Sequence, residues 1–512
     1  MFEFLKGKQD KRVKPKRRQA QMRNFNAAGV NRLTSDWTNT IQTGDSALRM
    51  GLKSLRARSR QLADNNDYAR KFFNTVKCNV IGGRGIRLQV RSKDANGKFD
   101  KKANRLIEEG WLDWGKKVNS PTTDGRMSWV DAQRLFIESV GRDGEVIIRM
   151  VPGYPNKYGF SIQILEADHL DEEFNTTLSN GNFIKMGIEF NQWNKPVAYH
   201  LLREHPGDQI FSQKRFSANL YERIPAEQII HAFIVTRPSQ SRGLPWMHTA
   251  MMRLHMLGGY EEAELVAARV GASKMGFFTS PDGTSYNGQD EEDGAMIMEA
   301  DPGTFEQLPE GMEVTTFDPQ HPNSGFEAFE KAILRGVASG LNVSYNSLAS
   351  NLEGVNFSSI RHGTLEERDN WRDLQAWVAE HLCDVVFTQW LTMAMTVRAI
   401  PLPIAKFDKF NKPLWRGRGW MWIDPLKENQ ANALAIEKKM KSRTQVADEQ
   451  GVDIEELFEQ IAAEEEIAAR LGLKLTLEEA EPAPPADEEE PEEQQPESEA
   501  ENEPEEETEQ AE

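Results

Sequence analysis

From Pro245 to Ser273 the chain carries an unbroken helical pattern, and this segment does most to limit what the chain can fold into. Met247, Ala250, Met251, Leu254 and Gly258 fall on one stripe, which Leu265 and Ala268 continue. At 1.5 Å per residue the helix runs about 40 Å, so it acts as a strut. Residues 276–323, rich in Gly, Asp, Glu and Pro with β-like pieces such as GTFEQLP and MEVTTF, read as a small subdomain at the strut's end. Gly325 to Gly340 then returns as a second, shorter helix.

On the N-terminal side, Thr43 to about Gly82 has helical spacing, with Asn65-Asn66-Asp67 offering a cap before YARKFFNTVKCNVI. Gly82, Gly83 and Gly85 read as a helix stop, because no strand precedes them and no GK[ST] follows to make a phosphate loop. Asp100 to about Lys117 is a further helix. The period then shortens to two, and EVIIRMV (145–151), FSIQILEADHL (160–170), FIKMGIEF (183–190), PVAYHLL (196–202) and QIIHAFIV (228–235) read as strands of a mostly antiparallel module. Glu166, Asp168 and His169 are a poor metal set, since strand alternation sends His169 to the opposite face from Asp168. His231 reads as a satisfied core or edge histidine.

Beyond the strut lies a polar loop, Asn342 to about Asn356, and then a very long helix. Its core face is marked by Leu374, Trp377, Val378, Leu382, Val385, Val386 and Trp390. The last folded piece is helical, with Asp424 and Pro425 at one start, a capping box of Ser442 and Gln445, a similar pair Asp453 and Glu456, and C-terminal glycines Gly451 and Gly472.

Composition excludes several classes. The net charge of −18 resides in the C-terminal tail, where Glu478 to Glu512 holds eighteen acidic and no basic residues, leaving 62 of each sign elsewhere. Such a tail cannot bury enough apolar surface to offset its ordering entropy. Residues 1–23 carry nine Lys or Arg and form a basic arm able to touch phosphate. Cys78 and Cys383 are the only cysteines, which argues against a disulfide scaffold and for a reducing compartment. MFEFL is too short for a signal peptide, and Asp384, Gln389 and Arg398 interrupt the most apolar later segment, so a soluble chain with no membrane partner is expected.

Ser358, His362 and Glu366 fall at i, i+4 and i+8, a spacing that stacks hydroxyl, imidazole and carboxylate on one helix face. A serine nucleophile is commonly presented on a strained strand-to-helix turn with oxyanion donors beside it, whereas Ser358 sits in a first helical turn. Asn356, Ser358 or Ser359 as caps, with Glu366 and Glu367 near the positive helix end, explain the same residues. The alternative, a hydrolase or DNA-processing enzyme built on this triad, requires His362→Ala to abolish an activity. A monomeric DNA-binding protein working through the basic arm is a third class. The residues alone indicate an interaction or assembly protein, with no catalytic, cofactor-binding or metal residues assigned.

Three blocks in order carry a resemblance: LADNNDYARKFFNTVKCNVIGGRGIRLQ, NFSSIRHGTLEERDNWRDLQAW, and WMWIDPLKENQANALAIEKKMKSRTQVADEQGVDIEELFEQIAAEEE. Over roughly residues 43–475 the chain resembles the lambda-type portal proteins of tailed bacteriophages. The resemblance implies an α+β fold assembled as a homo-oligomeric ring, usually dodecameric, at the capsid vertex of the virion, with assembly in the host cytoplasm. Double-stranded DNA would pass through it without sequence specificity.

It further implies a wing over 43–244, a stem helix over 245–273 and a clip over 274–323. A returning stem helix over 324–341, a tunnel loop over 342–357, a long helix and wing over 358–423 and a helical crown over 424–475 follow, between a basic arm (1–42) and an acidic tail (476–512). Asn346, Ser347, Asn351, Glu353 and Asn356 would face the DNA channel. Asp290, Glu291, Glu292 and Asp293 of the clip would dock the terminase during packaging and a head-completion or adaptor protein afterwards, and capsid protein or scaffold would be further partners. ATP hydrolysis would belong to the terminase, and no cofactor is implied.

Overall fold

The computed structural model describes Arg32, Asp36 and residues 40–208, 220–272, 276–279, 313–316, 325–354, 356–420 and 424–473. The chain divides into two compact units, residues 1–418 and 419–512. The acidic quartet Asp290 to Asp293, nearly all of the basic arm and the acidic tail lie outside the described residues.

The first unit opens with helices α1 (Gly44–Arg49), α2 (Leu52–Asn65) and α3 (Asp67–Val76), a π-turn (Lys77–Ile81), strand β1 (Arg87–Val90) and helices α4 (Lys101–Trp114) and α5 (Trp129–Asp143). Strands β2 (Glu145–Pro152), β3 (Phe160–Leu165), β4 (Thr176–Thr177), β5 (Phe183–Lys185), β6 (Ile188–Phe190), β7 (Pro196–Leu202), β8 (Tyr221–Pro225) and β9 (Ile229–Phe233) follow. Next come α6 (Met251–Ala272), β10 (Gly276–Thr279), β11 (Glu313–Thr316), α7 (Phe326–Gly340), α8 (Tyr345–Ala349) and α9 (Phe357–Val378). A second π-turn (Ala379–Cys383), α10 (Asp384–Thr396), α11 (Phe407–Phe410) and β12 (Pro413–Arg416) complete this unit. The second unit holds α12 (Pro425–Glu437), α13 (Arg443–Glu449) and α14 (Ile454–Leu471).

Two antiparallel sheets, ordered β3-β2-β9 and β4-β5-β6-β7-β8, make the strand-rich module. Ile147 and Ile229 of the first pack with Ile188, Phe190, Tyr199 and Ile224 of the second in one buried cluster. This is an α+β architecture, as the resemblance implies. FIKMGIEF, read as one strand, is instead the hairpin β5–β6: Met186 and Gly187 both take positive φ, 48° and 82°, as a two-residue primed turn demands. FSIQILEADHL leaves the sheet at Leu165, and residues 167–169 form a 3₁₀ turn. The strand argument that separated His169 from Asp168 therefore does not apply there.

Helix α5 lies in a stretch to which sequence periodicity assigned no element; its capping box joins Ser128 and Asp131. With α4, α10 and β12 it encloses an aromatic core in which Trp111 stands 4.8 Å from Trp114, 5.1 Å from Trp390 and 5.4 Å from Trp129, measured between ring centroids. Such pairs add about 0.5–1.5 kcal/mol each beyond their burial. The strut differs at its start, where a 3₁₀ turn (Trp246–Thr249) precedes α6. In the long C-terminal helix the second π-turn rotates the core face, so that Val386, Phe387 and Trp390 are buried while Val385, assigned to the core by an unbroken 3.6 period, is exposed. Caps fall where the sequence placed them at Asn66, Asp424 and Ser442, and Asp100, read only as a helix start, caps α4 through the Ala103 amide. Asp453 caps α14, its carboxylate accepting from the Glu455 amide.

Candidate functional site

Two places concentrate polar chemistry: the segment between α7 and α9, where the sequence put its site residues, and a buried ion cluster between the helices and the sheets.

Helix α7 ends at Gly340, and Asn342 reverses the chain with φ of 56°. Leu341, Val343 and Leu348 are buried and anchor the connection. Apolar burial of this kind makes room for a short helix inside what the sequence reading treated as a plain polar loop. Helix α8 is capped by Ser344, whose Oγ accepts from the Ser347 amide at 3.2 Å. Glu367 of α9 reaches back to it, accepting from the Ser344 amide at 2.5 Å and from Ser347 Oγ at 3.2 Å. A carboxylate there meets the positive end of α8. Its sequence role, favouring the start of its own helix α9, is corrected accordingly.

Asn346, Ser347 and Asn351 are half-buried, and Glu353 and Asn356 are exposed. Ser347 is therefore turned to Glu367, and Asn351 accepts from the Glu353 amide at 2.8 Å. Lys331 of α7 approaches Glu353 at 3.4 Å and also pairs with Glu327, while Arg335 lies over the Tyr345 ring at 5.6 Å. Leu352, 66% exposed between Asn351 and Glu353, is the apolar tip that the sequence reading passed over. At the far end Asn356 Oδ1 accepts from the Ser359 amide at 2.8 Å, which settles the cap in favour of Asn356. Ser358, His362 and Glu366 are all exposed on α9, with Ser358 in its first turn.

Helices α6 and α7 are linked to α3 by Tyr68, whose hydroxyl lies 2.8 Å from Glu330 and 3.4 Å from Glu261. Burial, with Glu330 beside it, raises the Glu261 carboxyl above its ordinary value.

The buried cluster centres on Glu145 at the start of β2. Its Oε1 accepts from Arg242 Nη2 at 2.6 Å and Arg56 Nη2 at 2.8 Å; its Oε2 stands 2.9 Å from both His231 Nε2 and the Gly243 amide. Burial pushes this carboxyl up, but Arg242, His231 and Arg56 outweigh it and hold it well below the usual carboxylate range. Arg242 also donates to the carbonyls of Leu170, Met186 and Ala167, so one guanidinium ties both sheets to the 3₁₀ turn. The backbones of 144 and 243–244 cross closely: a Cβ on Gly144, φ 90°, would lie 2.6 Å from the Leu244 carbonyl carbon. Sequence reading identified His231 as satisfied but missed its partners, and the one available signal was a glutamate opening the strand EVIIRMV.

Glu166 and Asp168 do gather a histidine, but it is His205; His169 Nδ1 instead lies 2.9 Å from the Leu202 carbonyl. Arg60 already occupies that group, 2.5 Å from Asp168 and 3.3 Å from Glu166. A guanidinium in that position is the counter-ion that a metal would have to displace. Among the described residues, no helix is long and apolar enough to cross a membrane.

The sequence model of the family described as "Phage portal protein, lambda family" matches residues 30–375. The chain belongs to that family. Among its portal relatives, a probable portal protein of Halomonas phage phiHAP-1 is 36% identical over 459 residues, covering 88% of each chain. Portal protein B of Escherichia phage lambda is 22% identical over 486 residues, covering 86% of this chain and 88% of its own. Among solved structures, a chain from the neck of an empty gene transfer agent particle, computed with C6 symmetry, has a TM-score of 0.42 and 12% identity, covering 83% of this chain and 94% of that one.

Proposed function

We propose that this portal protein forms the ring at one vertex of a phage head through which double-stranded DNA is packed by a terminase and later released. The observation that carries the reading is the family match over residues 30–375. Its architecture fits: α6 is the stem helix, β10–β11 belongs to the clip, α7 is the returning stem, residues 342–357 are the tunnel loop and α12–α14 the crown. The wing comprises 43–244 and 358–423. The homo-oligomer is a dodecamer, placed in the virion after assembly in the host cytoplasm.

Asn346, Asn351, Glu353 and Asn356 form the channel lining together with Leu352, while Ser347 keeps α8 seated on Glu367. Duplex DNA carries one charge per about 1.7 Å, so a lysine-dense lining would grip it by counterion release, whereas passage needs weak contact without register. A lining of Asn with one Leu and one Glu suits sliding. Asp290 to Asp293 of the clip dock the terminase and then a head-completion protein, and capsid protein or scaffold is a further partner. The sequence contains no GK[ST], which fits hydrolysis of ATP by the terminase. Ser358, His362 and Glu366 take no catalytic part.

Negative-stain electron microscopy of the full chain, with light scattering on the same fraction, tests this. Rings with a hole wide enough for duplex DNA are expected. A monodisperse monomer that persists at high concentration would overturn the reading.

A further inference from the structure

The second unit has three helices and almost no core. Among its described residues only Ala447 and Ala468 are buried. Helix α12 buries nothing, and α14 buries Ala468 alone over 18 residues. A segment of roughly fifty residues needs a filled core, a metal, disulfides or oligomerisation to stay folded. No cysteine lies in it. Its apolar residues are nonetheless ordered along the helices and not scattered.

On α14, Ile454, Leu457 and Ile461 follow an a/d spacing that Glu464 interrupts and Leu471 resumes, with Phe458 alongside and Ala468 already buried. Phe458 is 49% and Leu471 64% exposed. On α12 and the turn after it, Leu426, Leu434 and Met440 are 69%, 54% and 83% exposed. The two surfaces also differ in sign. Helix α14 carries six glutamates against Arg470, whereas residues 438–443 hold Lys438, Lys439, Lys441 and Arg443, of which Lys438 pairs with Glu437 and Lys441 with Glu449.

We infer that α14 of one copy of this chain docks its apolar seam on Leu434 and Met440 of the next copy, its glutamates facing Lys438 and Lys439. Repeated head to tail from copy to copy, an acidic patch meeting a different, basic patch is a heterologous contact, the kind whose rotation can close into a ring. The inference rests on the ring reading and deepens it: the crown acquires its core only when the neighbouring subunit is present.

Because Cys78 is exposed and Cys383 buried, the test uses a Cys78→Ser background carrying Leu434→Cys and Phe458→Cys. Oxidised rings are expected to give a ladder of covalent oligomers on a non-reducing gel. Rings that yield only monomer, with or without an intrachain bond, would overturn the inference while leaving the portal reading intact. Absence of rings from the unmodified chain would overturn both. As an independent readout on that unmodified chain, amides of 454–471 should exchange at least tenfold more slowly in rings than in dissociated subunits, and equal rates would count against the docking. Lys438→Glu with Lys439→Glu should remove that protection, and adding Glu464→Lys with Glu465→Lys should restore it.

Discussion

Glu145 is a fully buried carboxylate whose two oxygens are both committed, to Arg56 and Arg242 on one side and to His231 and the Gly243 amide on the other. Such a group is worth more as a fixture than as an attraction, because removing one partner leaves an uncompensated buried charge. Arg242→Met should cost about 3–5 kcal/mol, read as a lower denaturant midpoint with unchanged slope. A midpoint within error of the parent would show that water or a neighbour replaces the guanidinium. A second carboxylate reports on pH. Glu189 accepts from Arg223 Nε at 2.8 Å and Asn182 Nδ2 at 2.7 Å, and these contacts, Arg223 first, hold it down at about 2. Its folded value lies below the unfolded one, so its contribution is present above about pH 4.5 and is lost as pH falls toward 2. Half of Arg223 is exposed, so screening limits that contribution to about 1 kcal/mol. The melting difference between the parent and Glu189→Gln should be clear at pH 6 and shrink as the pH is taken toward 2.

At the scale of elements, the start of α8 is held by a carboxylate reaching back from α9. Glu367→Ala removes both acceptors at the start of α8, a loss of about 1–2 kcal/mol confined to this segment. Amide exchange of residues 344–350 should accelerate severalfold while α4, α5 and α10, built around the aromatic core, exchange as before. Uniform acceleration would mean that α8 is not an independent element. The caps at Asn66, Asp424 and Ser442 were legible from sequence because a cap involves neighbours only three residues apart. Glu367 was not, since its partners lie 20 and 23 residues away.

For the whole molecule the prediction concerns DNA. Asn346→Lys together with Asn351→Lys should slow packaging without blocking ring assembly, because each lysine adds a phosphate contact that must be broken at every step. The check is single-particle packaging velocity at two salt concentrations, with the slowing relieved at the higher one. Unchanged velocity at low salt would mean that these residues face away from the channel.

Sequence by itself determined the helices with strong 3.6 periodicity, the strands with clean alternation, their local caps, and the order of blocks that carries the family likeness. Each of these depends on residues close along the chain, where propensity and pattern act directly. Only the tertiary structure decided the rest: that β1 pairs with β12 across more than three hundred residues, that a π-turn exposes Val385, and that Met186 and Gly187 fold one apparent strand into a hairpin. It also decided that Arg56, Arg242 and His231 converge on Glu145. Those outcomes turn on which distant groups must be neutralised or buried together, and a pattern read along the chain carries no distance between them.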